Sequence, residues 1–112
     1  MDEALAQRIL KAKGLVERFG DRSPPHFSLG RALHDAADWA GAEASYAEAA
    51  RLQPDLLMAW LHRAECLLEI GLLDEAESCA TTARNLARAQ GHSGPLGEAD
   101  DLLEAISEQK DG

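Results

Sequence analysis

The chain has 112 residues, a formal net charge of -9, 46% hydrophobic residues and only 4% aromatic residues. That length allows one small domain whose core is built from Ala and Leu rather than from large rings, and the apolar content excludes long disorder. With 20 Asp and Glu against 11 Lys and Arg, the balance argues against duplex nucleic acid and against an anionic membrane surface, both of which need clustered positive charge, so basic or neutral partners fit better.

No stretch alternates apolar and polar residues over a strand's length, while Ala, Leu, Glu, Gln and Arg dominate nearly every segment, so the expected fold is all-α. Punctuation divides the chain into six short helices. Gly20 to Pro25 ends the first, Ala37-Asp38 the second, Gln53-Pro54-Asp55 the third and Gly71 the fourth, and Gly91 to Gly97 separates the fifth from the last. Ser23, with Pro24 in the first turn, is the expected N-cap of the second helix, and Asp55 and Asp74 are expected to cap theirs. Glu98, Asp100 and Asp101 place negative charge near the positive end of the last helix dipole. The segment from Asp2 to Arg22 alternates charged and apolar residues and lacks a signal-peptide run, and nothing is apolar enough to span a bilayer; the expected address is the cytoplasm.

Chemistry-bearing motifs are absent from the sequence: no glycine-rich phosphate loop, no HExxH, no paired CxxC and no Gly-x-Ser-x-Gly elbow. Catalytic, cofactor and metal residues are therefore expected to be none. The nearest approach to a metal site is His62 and Cys66, four apart on one helical face, with His34 upstream, but a site needs three or four converging ligands, and a buried cysteine beside a surface histidine is the favoured explanation. Cys66 and Cys79 lie symmetrically about Leu72-Leu73, which puts the two thiols at similar height in a hairpin; a reducing cytosol favours the free thiols over a disulfide.

Self-similarity organises the middle of the chain. A shift of 34 residues superposes Leu33 on Leu67, Ala42 on Ala76, Glu43 on Glu77, Ala49 on Ala83 and Leu52 on Leu86, and sets Phe27 on Leu61, Gly30 on Ala64, Asp35 on Glu69 and Ala37 on Gly71. The small residues Gly30, Ala64, Ala42 and Ala76 permit close helix approach, with Tyr46 and Trp60 filling the space left over. Two helices per 34-residue period, with His26, Leu29-Gly30, Leu33, Ala42, Tyr46, Ala49 and Pro54 in the first copy and Trp60, Arg63-Ala64, Leu67, Ala76, Ala80 and Ala83 in the second, resemble the tetratricopeptide (TPR) repeat. Departures from the family pattern are His26 for a large apolar residue, Arg63 for Leu, Ala80 for an aromatic and Arg88 for the closing Pro, which predict a looser second pair whose last helix runs on toward Gln90.

The resemblance implies an α-solenoid of two helix-turn-helix repeats, residues 23–56 and 57–90, between an N-terminal cap helix in residues 1–22 and a C-terminal cap helix and tail in residues 92–112. Leu5, Ile9, Ala12, Val16 and Phe19, and likewise Leu102, Leu103 and Ile106, recur at helical spacing and read as amphipathic caps; the rival is a helix exchanged between two copies, giving a homodimer. The first helix of each pair carries a second stripe, Pro24, Phe27, Ser28, Arg31, His34 and Asp35 in one and Met58, Leu61, His62, Glu65, Leu68 and Glu69 in the other. In TPR proteins this face lines a concave groove that receives peptides or helices. The resemblance thus implies a non-catalytic interaction module whose groove residues are Phe27, Arg31, His34, Asp35, Met58, Leu61, His62, Glu65, Leu68 and Glu69, taking a protein segment with apolar and basic residues. Two alternatives stand beside it: the cap helices cover these apolar residues, or the chain is a self-associating structural subunit. The Lys and Asn pattern of TPR domains that clamp a chaperone's carboxylate end is missing here, and Glu65 and Glu69 would repel such an end.

Overall fold

In the computed structural model, which describes residues 2–112, six α-helices follow one another: α1 (Glu3–Phe19), α2 (Ser23–Asp35), α3 (Trp39–Leu52), α4 (Leu57–Ile70), α5 (Leu73–Gln90) and α6 (Ser93–Asp111). Each packs on the next through a short turn, and α6 also reaches back to α4. The spacing of the helix starts explains that arrangement. α4 begins 34 residues after α2 and α5 begins 34 after α3, while α1 begins 36 before α3 and α6 begins 36 after α4. The chain thus alternates two kinds of helix, with α2, α4 and α6 of one kind and α1, α3 and α5 of the other.

Three of the turns share one device. Ala37, Gly71 and Gly91 have φ of 58°, 91° and 74°, the left-handed region that ends a helix. The following N–H then returns to a carbonyl five residues back: Asp38 to Leu33 at 2.9 Å, Leu72 to Leu67 at 3.0 Å and His92 to Ala87 at 2.9 Å. Glycine adopts this conformation freely, whereas Ala37 carries a Cβ and a cost of about 1 kcal/mol. N-capping falls on different residues from those expected. Asp2 accepts from the Leu5 amide at 2.8 Å and Asp38 from the Gly41 amide at 3.0 Å. Ser23 is already inside α2, where its buried hydroxyl donates to Gln53 Oε1 at 2.6 Å and ties the start of α2 to the end of α3. Asp55 lies in the turn before Leu56, the cap of α4, and Asp74 lies inside α5, so neither caps. The last break is also shorter than expected: Gly94, Pro95 and Gly97 belong to α6, because a proline in the first turn loses only an N–H that has no helical partner.

A second repeated device anchors α2 and α4. The Trp60 indole N–H donates to the Pro54 carbonyl at 2.9 Å, and His26 Nε2 donates to the Gly20 carbonyl at 2.8 Å. Both donors and both acceptors are 34 residues apart, and since a carbonyl only accepts, the His26 proton sits on Nε2. His26 is thus a functional replacement for the large ring, supplying the same ring N–H to the same turn.

The core explains the remaining departures from the repeat. A Cβ on Gly30 would stand 2.8 Å from two ring carbons of Tyr46, so α2 and α3 approach at a distance only glycine allows. Thirty-four residues on, Ala64 faces a cluster in which Ala80 replaces the tyrosine, and the volume is filled instead by Ile106 of α6, with Trp60, Leu68, Leu102 and Leu103 around it. The second pair is accordingly not loose: Ala64, Ala80 and Ile106 are all fully buried. Arg63 has its own reason. Its Nε donates to Glu43 Oε1 at 2.7 Å, joining α4 to α3, and its guanidinium lies 5.7 Å from the Trp60 ring centre.

Ion pairs fasten the outer helices, Arg8 to Asp35 at 2.9 Å for α1 and Lys110 to Asp74 at 2.6 Å for α6. The two cysteines are free and buried in different places, Cys66 against Ala42 and Tyr46 and Cys79 against Ala64, Ala76 and Ala80. Equal distance from the turn gives equal height, yet the two thiols sit in different buried clusters. Burial pushes the Cys66 thiol up to about 12, helped by the nearby Glu65, Glu43 and Glu69 charges, and pushes Cys79 in the same direction.

Replacing Gly30 by Ala should lower stability by about 1–3 kcal/mol, seen as a lower urea midpoint at unchanged slope. Ala37→Gly should shift that midpoint the other way, and a G30A protein as stable as wild type would show that the Tyr46 ring moves aside freely. Neither cysteine should react with iodoacetamide in native buffer, while both should in urea. Because an unfolded thiol ionises near about 8.5, the contribution of Cys66 to stability is complete below that pH. It falls as pH rises toward the folded value, so the urea midpoint should drop between pH 8 and pH 11 and recover part of that drop in Cys66→Ala.

Candidate functional site

The 34-residue period places equivalent side chains on α2 and α4: Ser28 with His62, Arg31 with Glu65 and Asp35 with Glu69. Helical geometry puts each trio on one face, since the positions are three or four apart. Arg31, Asp35 and Glu69 are exposed, Glu65 is partly so, and together they form the outer line of this face. Asp35 is engaged by Arg8 of α1, which reduces the charge it offers.

Behind that line lies a cluster of rings. Tyr46, fully buried on α3, meets His34 of α2 through a hydrogen bond of 3.1 Å between its hydroxyl and Nδ1. The His62 ring of α4 lies 5.4 Å from the Tyr46 ring and 5.7 Å from that of His34, and Phe27 closes the group 5.6 Å from Tyr46. Burial raises the Tyr46 hydroxyl far above its ordinary value, so it stays protonated at all ordinary pH. His62 Nδ1 bonds Glu65 Oε1 at 2.6 Å, which orients the carboxylate along α4. The cluster is a structural joint between α2, α3 and α4; its partly buried members Phe27, His34 and His62 reach solvent, the His62 side chain being 21% exposed.

The apolar members of the sequence-predicted site lie elsewhere. Leu61 is 1% exposed and packs with Ala83 of α5 and Ala99 of α6, with Met58 and Leu102 beside it. Phe27, its equivalent, is half-buried against Ala49, Ala50 and Ala59. Both occupy the seam between the second helix of their own pair and the next helix along, Leu61 wholly buried there and Phe27 partly. Leu68 packs toward Ile106 in the same way. Covering by α6, the alternative for these residues, applies fully to Leu61 and in part to Met58 and Leu68, which are half-buried.

Two clefts flank the face. Between α1 and α2, Arg8, Lys11 and Arg31 surround a cleft of about 330 Å³ floored by Ala12, Leu15 and Ala32. Between α4 and α6, a cleft of about 410 Å³ is lined by Leu61, Leu102 and Ala105 below and by Glu65, Glu98 and Asp101 around it. Sequence reasoning missed Glu98 and Asp101 as site residues, since it took them for charges at the helix start, whereas α6 starts at Ser93 and has no acidic residue in its first turn. The available signal was their spacing of three, which aligns them with Leu102 and Ala105 on one side of α6. Among the described residues no three His, Cys, Asp or Glu side chains converge on a point that could hold a metal ion. His34 and His62 are close, but Cys66 faces Ala42. No helix is long and apolar enough to cross a membrane.

No protein-family model and no curated protein matches the chain. Solved structures do. PcrH in complex with the chaperone-binding region of PopD is similar over 96% of this chain and 81% of that one, at 28% identity and a TM-score of 0.89, and a structure of PcrH from Pseudomonas aeruginosa is similar over 96% and 95%, at 26% identity and a TM-score of 0.72. The Yersinia enterocolitica type III secretion translocator chaperone SycD is similar over 97% of this chain and 76% of its own, at 24% identity and a TM-score of 0.91. The TPR2B domain of yeast Sti1, in complex with pHsp70, is similar over 95% and 85%, at 16% identity and a TM-score of 0.88. Six helices with a 34-residue period, a glycine-to-tyrosine helix contact and these likenesses together show that the chain has the tetratricopeptide-repeat fold.

Proposed function

We propose that the chain is a non-catalytic adaptor that binds an extended or helical segment of a partner protein along the face made by α2, α4 and α6, with α1 and α6 closing the ends of two repeats at residues 23–56 and 57–90. One observation carries the reading. The chain shares its fold, at 28% identity, with a chaperone solved with a segment of its partner, and it has two open clefts on the helices that bear the paired positions Arg31 and Glu65. Of the groove residues expected from sequence, Arg31, Asp35, His62, Glu65 and Glu69 are the contact candidates. Phe27, His34, Met58, Leu61 and Leu68 act by holding the helices that carry them. Two free buried thiols suit a reducing compartment, so we assign the module to the cytoplasm.

A second reading, a homodimer through α1, is favoured by Leu10, 66% exposed, and Phe19, 44% exposed, on one amphipathic helix. Among the similar structures, SycD has been solved as an "alternative dimer". Light scattering over a hundredfold concentration range separates the two: the adaptor reading expects a constant mass of 12.1 kDa, and a rise toward twice that value supports association. For the groove itself, Arg31→Glu combined with Glu69→Lys should abolish capture of the native partner in a host-lysate pull-down and leave the far-ultraviolet circular dichroism unchanged, whereas Asn85→Asp on α5 should leave both capture and the spectrum unchanged. Capture that survives the double variant would move the binding surface off α2 and α4.

A further inference from the structure

We infer that the α4–α6 cleft is the selective end of the groove and takes an apolar side chain of the partner that is flanked by Lys or Arg. The inference rests on the adaptor reading and adds to it the chemistry of the bound segment. The open cleft has a volume of about 410 Å³, enough for a large aliphatic or aromatic side chain, over a floor of Leu102 and Ala105 with the buried Leu61 beneath them. Burying such a group on that floor supplies affinity but little discrimination.

Discrimination comes from the rim. Glu65, Glu98 and Asp101 surround the floor, and among the described residues neither Glu98 nor Asp101 forms an ion pair, while Glu65 is held in place by His62. Lys110, the single cation of α6, is engaged by Asp74 and Glu77 of α5. An apolar floor ringed by three carboxylates without a cation of its own is complementary to an apolar anchor beside positive charge, and it repels a segment with Asp or Glu in those places. The opposite end of the array has the opposite sign, with Lys11 and Arg31 at the α1–α2 cleft beside Arg8, which Asp35 engages. A segment lying along the face is therefore drawn in one direction, its basic part at α6 and any acidic part at α1.

A randomised twelve-residue peptide library displayed on phage and selected against the whole chain tests this directly. Selected peptides should carry Leu, Ile, Met or Phe with Lys or Arg within about four residues. Binding of the synthetic versions, measured by fluorescence anisotropy, should weaken at least tenfold in Glu98→Lys/Asp101→Lys and less in 0.5 M salt than that variant loses in 0.1 M salt. Both substitutions are exposed, so the variant's melting curve should match wild type. Peptides that bind without basic enrichment, or that bind the charge-reversed variant equally well, overturn the inference and leave the adaptor reading standing. A selection that yields no binding peptide at all overturns the adaptor reading as well.

Discussion

The close approach of α2 and α3 at Gly30, 2.8 Å from the Tyr46 ring once a Cβ is imagined there, is the contact on which the rest of the structure depends. It sets how near the two helices of the first pair lie, and so where Tyr46 emerges between α2 and α4. From that position the ring orders His34, His62 and Phe27, and His62 in turn holds Glu65. A packing constraint in the core is thereby carried outward to a carboxylate on the binding face. The second pair solves the same problem differently. With Ala80 in the tyrosine's place, Ile106 enters from α6, so the last helix is as much a part of the second pair's core as α5 is.

That solution ties stability to function through one helix. Along α6, Ala99, Leu102, Leu103 and Ile106 face inward and cover Leu61, Leu67 and Ala80, while Glu98 and Asp101 stand at the edge of the same interface. A short solenoid leaves an apolar end that must be covered. Here the cover also supplies one wall of a cleft. Residues 92–112 hold six acidic side chains against one lysine, which is more than half of the net charge, and the fold divides that charge between the solvent side and the cleft.

Much of this was legible in the sequence because it is periodic. Positions 34 apart exposed the repeat, and the pairing of glycine with a large ring gave the α2–α3 contact before any coordinates. What escaped was set by geometry that spacing does not encode. Ser23, Asp55 and Asp74 have capping side chains, but φ and ψ place the caps at Arg22, Leu56 and Leu72. Leu61 looked like groove floor because it extends an outward stripe, and only the return of α6 onto α4 makes it core. Cys66 and Cys79 match in height and differ in azimuth, at about 100° of rotation per residue. Glu98 and Asp101 were read as dipole chemistry, but α6 starts earlier than expected, at Ser93, which leaves them beyond its first turn and alongside α4 instead.

The central claim is that partner segments bind across α2, α4 and α6. Amide chemical-shift mapping of the isotope-labelled chain, titrated with its tightest library peptide, addresses it most directly. The largest shifts should fall on Ser28, Arg31, His62, Glu65 and the stretch from Glu98 to Ala105, with Ala44 and Asn85 unmoved. Shifts concentrated on the outer faces of α3 and α5, with α4 and α6 silent, would contradict it.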